Sequence, residues 1–95
     1  MAVKVIIKRQ VPKGKEGDLS SLLLKLRALA TAQAGYISGE TLINVDNPED
    51  YLVISTWRSV NDWKAWAESK ERAELQGKID SLLSQKTEYG IYFYR

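Results

Sequence analysis

The sequence contains neither cysteine nor histidine. Without cysteine the chain can form no disulfide and no thiolate metal site, and it has no cysteine nucleophile. Without histidine it lacks the commonest metal ligand, the usual general base and the familiar proximal ligand of haem iron. These two absences exclude much ordinary enzyme chemistry, and they leave packing or association as the sources of stability.

An excess of charge of one sign and a long apolar run are also absent. The 14 basic and 12 acidic side chains give a net charge of +2, which is too balanced to suggest a surface for nucleic acid or lipid. No stretch approaches the roughly 20 apolar residues that a membrane span needs, and the first apolar run is too short for a signal-peptide core. We therefore expect a cytoplasmic protein that binds neither nucleic acid nor membrane.

Hydrophobic periodicity divides the 95 residues into the elements of one domain spanning 1–95. Apolar residues alternate over 3–11 and 36–45, and 51–58 is rich in β-branched and aromatic residues, so all three segments are predicted strands. The turn-forming segment 46–50 makes the last two a hairpin. Leucines recur at helical spacing from Asp18 onward, and Gly35 fits the end of that helix. A second helix begins near Ser59, with a kink or break predicted at Ser69. A last strand covers 88–95.

The order strand, helix, strand, strand, helix, strand predicts an α+β fold of the ferredoxin-like type. In that fold both helices lie on one face of a four-stranded antiparallel sheet. The last strand is apolar on both sides, with Tyr89, Ile91 and Phe93 on one face and Tyr92 and Tyr94 on the other. One helix layer cannot cover both faces, so we expect a homodimer that pairs the sheets into an α+β barrel. The alternative is that the tyrosines line an exposed sheet edge with hydrated hydroxyls.

Two segments taken together resemble a known family. They are GYISGE, at the start of the second strand, and YLVISTWRSVNDWKAWAESKERAEL, which runs from the third strand into the second helix. With Trp57 at the strand end, Asp62 at a capping position and Trp66 followed by Ser69, the chain resembles the antibiotic biosynthesis monooxygenase family of dimeric α+β barrels. The resemblance covers nearly the whole chain.

This resemblance implies, for some members, oxygenation of quinol-like or polycyclic aromatic substrates without metal or flavin. A deprotonated phenolic substrate supplies the electrons, so the protein needs mainly an apolar pocket with a few polar groups. The resemblance therefore implies no cofactor and a small aromatic ligand. Many other members have no demonstrated activity.

The family also has a haem-degrading branch, which places an asparagine in the first strand, a tryptophan near the end of the third strand and a histidine on the second helix. Only the tryptophan matches, as Trp57. The first-strand position is Lys8, and residues 69–76 contain no histidine. The missing imidazole argues against haem degradation.

Trp57 and Asn44 are the candidate catalytic residues. Trp57 ends a strand that faces the second helix and could form one wall of an aromatic pocket, although a core tryptophan would have the same pattern. Asn44 lies near the end of the second strand, where its amide could hydrogen-bond a substrate carbonyl or an oxyanion. The same asparagine could simply prepare the turn that starts at Asp46.

Four further residues are candidates for substrate binding. Trp66 shares a helix face with Trp63, a stripe that core packing also explains. Tyr36 and Tyr92 could stack on a phenolic ligand or donate a hydrogen bond to it, and Lys8 could favour the anion of a bound phenol. Packing with a hydrated hydroxyl, or plain solvent exposure, is the alternative for each of these three.

The sequence thus supports a cofactor-independent monooxygenase acting on a quinol or polyphenolic substrate. The alternative from a different class is a non-catalytic small-ligand-binding or stress-response module on the same dimeric scaffold. A purely structural or regulatory domain would be favoured if no cavity lay between sheet and helices. The case for an enzyme rests on the resemblance, because the fold alone does not assign a function.

Overall fold

A computed structural model describes all residues from Met1 to Arg95. The four strands form one antiparallel sheet in the spatial order β2-β3-β1-β4, with β1 and β3 at its centre. This is the predicted ferredoxin-like α+β arrangement. None of its helices combines the length and the apolar character required to cross a membrane. In chain order the elements are β1 (Val3–Gln10), α1 (Glu16–Thr31), β2 (Tyr36–Ile43), β3 (Asp50–Trp57), α2 (Val60–Ala67), α3 (Lys70–Asp80) and β4 (Glu88–Phe93).

The core lies between the sheet and the helices. Alternate residues of β1 point into it, so that Val3, Val5 and Ile7 are buried while the residues between them are more exposed. From α1, Leu19 and Leu26 complete the contact because leucines three and four residues apart share one helix face. Strand and helix periodicity therefore bring the two apolar faces together.

The second helical region is two helices, α2 and α3, and the break falls where the sequence predicts it. Ser59 caps α2 by accepting a hydrogen bond from the backbone N–H of Asp62 at 3.1 Å. Ser69 caps α3 in the same way, accepting from the backbone N–H of Arg72 at 3.2 Å. Each serine satisfies a backbone donor that the first turn of a helix leaves free. The second cap lets the chain change direction. It starts α3 at Lys70 and so places Arg72 in the first turn of that helix.

Gly35 links α1 to β2 and has a backbone φ of +84°. L-residues with a side chain rarely adopt this conformation. A Cβ atom at this position would also overlap the side chain of Asp62. The carbonyl of Gly35 accepts a hydrogen bond from the backbone N–H of Arg58 at 2.7 Å, which joins the start of β2 to the end of β3.

The sheet face opposite the helices carries an apolar surface that the chain itself does not cover. Ile6 lies opposite Ile54 across the central strand pair, and Leu52 is two residues along β3 on the same face. Tyr92 and Tyr94 of the edge strand region are exposed on this side. The predicted strand over 88–95 is shorter in the structure, where β4 ends at Phe93, and apolar side chains lie on both of its faces, all of them at least partly exposed.

Candidate functional site

A cavity lies between the sheet and the helices, open at one side to solvent. The volume open to a water-sized molecule is about 70 Å³, and it rises to about 540 Å³ when all space between the lining atoms and the adjoining solvent is counted. Most of its lining is apolar, with a few polar groups, as in many small-molecule sites. Strands β1, β2 and β3 form its floor, and α1, α2 and the start of α3 form its walls. The side chains that give it chemical character are Tyr36, Trp57, Trp63, Trp66, Arg9 and Arg72.

Aromatic rings form a continuous set along this cavity. Tyr36 and Trp57 meet edge to face with ring centroids 5.3 Å apart, and Trp57 meets Trp63 at 5.8 Å in a similar arrangement. Trp63 then reaches Tyr89 of β4 at 6.3 Å. Edge-to-face contacts fix the rings against one another. The result is a rigid apolar wall suited to a flat ligand.

Trp57 is both a wall of the cavity and part of the core. Its side chain is only 1% exposed, and it belongs to the cluster of buried apolar residues. The indole N–H donates to the hydroxyl of Ser55 at 3.1 Å. Because this donor already has a partner, Trp57 offers a ligand its ring surface and not its N–H.

Arg9 is the most unusual group in the cavity, because it is a charged side chain that is only 2% exposed. One of its terminal nitrogens donates to the side-chain oxygen of Gln76 at 3.0 Å, but its Nε is buried without a partner. Burial is the main cause that lowers the pKa of Arg9, the nearby Arg72 lowers it further, and Tyr89 and Asp80 act in the opposite direction. A lowered pKa in a cation means that the folded protein disfavours its charged form.

Arg72 is the second buried guanidinium. It donates to the hydroxyl of Tyr89 at 3.0 Å, and its Cζ lies 5.3 Å from the ring centroids of both Trp63 and Tyr89. Cation–π contacts and a neutral hydroxyl hold it in place. Neither Arg72 nor Arg9 donates a hydrogen bond to a carboxylate, so both keep their positive charge available to a ligand.

The sequence grouped six candidate residues, and the structure brings three of them together. Tyr36, Trp57 and Trp66 line the same cavity. The structure does not place Asn44 there. Its side chain donates to Asp50 at 3.0 Å and accepts from the backbone N–H of Asp46 at 2.8 Å. These contacts hold the β2–β3 turn, the alternative that the sequence also allowed.

Lys8 and Tyr92 also lie away from the cavity. Lys8 alternates with Ile7 and Arg9 along β1, so its side chain belongs to the opposite face of the sheet. There it lines a shallow depression together with Tyr92. The alternation of side chains along the strands therefore places Lys8 and Tyr92 on the opposite face of the sheet from Trp57.

The two arginines of the cavity were missed by the sequence reasoning, although both leave a signal. Arg9 occupies the same alternating set of β1 as the buried Val5 and Ile7, and a charge at an inward position is the informative exception. Arg72 precedes Gln76 by four residues and Ile79 by seven, so it shares their helix face. All three of these α3 residues are buried.

Fold and cavity together define a class: a ferredoxin-like domain with a cavity lined by aromatic residues between its sheet and its helices. Residues 2–78 match the family model described as antibiotic biosynthesis monooxygenase. The chain belongs to this family, as the resemblance at its third strand and second helix predicts.

Known proteins of the same kind support the fold. A conserved protein from Methanosarcina mazei superposes with a TM-score of 0.94 at 22% identity, over 100% of this chain and 94% of that one. SnoaB, described as a cofactor-independent oxygenase from Streptomyces nogalater, superposes with a TM-score of 0.89 at 17% identity, over 99% and 93% of the two chains.

Protein SchA of Streptomyces halstedii is a curated relative in sequence. It is 26% identical over 73 residues, which make up 77% of this chain. The chain spans only 19% of the length of SchA, so the likeness concerns one domain-sized part of that protein.

Proposed function

We propose that this protein is a cofactor-independent monooxygenase acting on a quinol-like or polycyclic phenol. The observation that carries the proposal is an aromatic cavity whose buried ionic groups are both cations, Arg9 and Arg72. Family membership and the description of SnoaB as a cofactor-independent oxygenase support it. The proposed ligand-contacting residues are Tyr36, Trp57 and Trp66, together with the two arginines.

The cavity suits a reaction in which the substrate is activated as an anion. A positive potential in a water-poor site lowers the pKa of a bound phenol, so its proton is lost more readily. The resulting anion has carbanion character at a ring carbon and gives its electrons to oxygen. The arginines would stabilise this anion, a task that requires fixed cations and no histidine.

The proposed reaction balances with molecular oxygen as the oxidant. At a ring CH₂, loss of a proton gives the carbanion, a C–O bond forms with O₂, and protonation gives a hydroperoxide. Loss of water from the hydroperoxide breaks the O–O bond and the remaining C–H bond, leaving a ring carbonyl. The carbon is oxidised by four electrons, O₂ accepts four, and the products are the carbonyl and one water molecule.

The test is oxygen consumption with 1,8-dihydroxyanthrone, a phenol with such a ring CH₂. An oxygen electrode and the absorbance of the quinone product should show one O₂ consumed per quinone formed, faster than in buffer. Arg72→Met should lower the rate, whereas Arg58→Met, an equal charge change at an exposed residue outside the cavity, should not. Binding of the phenol with no oxygen consumption above the buffer rate would overturn the monooxygenase proposal and support the alternative, a non-catalytic ligand-binding module.

We also propose that the protein is a homodimer joined through the sheet face opposite the helices. The apolar side chains of that face, Ile6, Leu52 and Ile54 with the exposed Tyr92, are what such pairing would cover. Light scattering should give twice the 10.8 kDa of one chain. The double variant Leu52→Glu, Tyr92→Glu should be monomeric, and a monomeric mass for the unaltered protein would contradict the proposal.

A further inference from the structure

The buried positive charge of the cavity exceeds what one phenolate would neutralise. Arg9 and Arg72 contribute two charges, and both side chains are more than nine-tenths buried. A substrate that becomes a single phenolate balances only one of them. Buried charges are costly unless they are paired, so the charge count leaves one cation without a counterpart.

Arg9 is that cation. Arg72 has the hydroxyl of Tyr89 and two aromatic faces around its guanidinium. Arg9 has only the neutral amide oxygen of Gln76, and its Nε–H has no acceptor. A buried donor without a partner costs free energy, and an arginine fork matches the two oxygens of a carboxylate.

No acidic side chain of the protein accepts a hydrogen bond from Arg9 or Arg72. Asp80 is exposed and acts on Arg9 only at a distance, because its carboxylate accepts from the Nε2 of Gln76 at 2.8 Å. Gln76 thus stands between Asp80 and Arg9. Glu40 borders the cavity from an exposed position on β2, and neither arginine donates to it.

We infer that Arg9, supported by Arg72, is an acid-recognition subsite, and that the aromatic ligand of the cavity carries a carboxylate in addition to its phenol. The inference rests on the proposed function for the aromatic ligand and adds its second ionised group. The carboxylate would dock at the inner end of the cavity, on the β1 and α3 side, and the rings would lie along Trp57 and Tyr36.

The experiment compares two probes that differ in the negative charge and in one methyl group: 6-hydroxy-2-naphthoate and its methyl ester. Their binding can be titrated by quenching of tryptophan fluorescence, because all three tryptophans line the cavity. The acid should bind about 10- to 100-fold more tightly than the ester, the ratio expected of a charge-assisted hydrogen bond. Raising the salt concentration should change this ratio little, since the subsite is buried.

Variants then locate the acid-recognition subsite. Arg9→Met should bring the acid-to-ester ratio close to one, and Arg72→Met should lower it in part. Arg58→Met is the matched control and should keep the full ratio. Arg9→Lys is a second variant for the case that Arg9→Met does not fold. It keeps the charge without the fork, and it should retain an intermediate ratio.

The outcomes separate this inference from the proposed function. Equal binding of acid and ester overturns the subsite and leaves the aromatic pocket standing. A preference for the acid that persists in both Arg9→Met and Arg72→Met also overturns it, because the carboxylate is then recognised elsewhere. If neither probe binds, the aromatic pocket itself fails, and the subsite falls with it.

Discussion

Replacement of Trp57 by alanine should destabilise the fold strongly, because its ring is a core element as well as a cavity wall. The side chain is 1% exposed and contacts Tyr36 and Trp63 edge to face. Truncation of a buried tryptophan costs about 3 to 5 kcal/mol. A domain of this size has a total unfolding free energy of about 5 to 15 kcal/mol and loses about 4 to 8 °C in Tm per kcal/mol. The variant should therefore melt about 12 to 40 °C lower.

Thermal unfolding followed by circular dichroism measures this effect. Trp57→Phe is the matched variant, since it keeps an aromatic ring and loses only part of the buried ring surface together with the hydrogen bond to Ser55, so it should cost less than the alanine variant. An alanine variant that melts within about 5 °C of the unaltered protein would refute the core assignment. Because the phenylalanine variant stays folded, it is the one in which a loss of ligand binding reports on the site.

Three further substitutions test two glycines of the backbone and the serine cap of α3. Gly35→Ala should lower the unfolding free energy by more than about 1 kcal/mol, since φ is +84° there and a Cβ meets Asp62. Gly77→Ala, within α3 and with open space around it, should instead raise it by about 0.8 to 1 kcal/mol. Equal signs in a urea titration would contradict the argument. Ser69→Ala should cost about 1 kcal/mol through loss of the α3 cap, whereas Ala at the exposed Ser21 of α1 should not; an equal Tm change in both would show that the cap does not matter.

Periodicity predicts the strands, the hairpin and the order of elements because these depend on local pattern. The break at Ser69 can also be predicted from the sequence, because a serine side chain at the start of a helix caps a free backbone N–H. The cavity cannot be predicted in this way. It depends on how the three tryptophans, which all lie within residues 57–66, pack against Tyr36 and α1 and leave space beside them.

The candidate site residues show the same distinction between local sequence pattern and packing. Tyr36, Trp57 and Trp66 are aromatic and reach the cavity because they lie on inward faces. Asn44 lies outside the cavity, because hydrogen bonds to the turn hold its amide at the surface. Lys8 shows that position along the strand decides which face a side chain occupies, because the exposed Lys8 and the buried Arg9 are adjacent residues of β1.

Arg9 allows stability and function to be separated in one substitution. Its charged form is disfavoured by burial and its hydrogen-bond partner is the neutral Gln76, so removal of the charge leaves no opposite charge behind. Removing a buried charge relieves its desolvation cost, and the Gln76 oxygen left without a donor offsets about 1 to 3 kcal/mol of this gain. Arg9→Met should therefore melt at or above the Tm of the unaltered protein while losing its preference for the acid probe. A variant destabilised by more than about 3 kcal/mol would instead mean that Arg9 serves the fold, because a residue kept for its ligand has no reason to hold the core together.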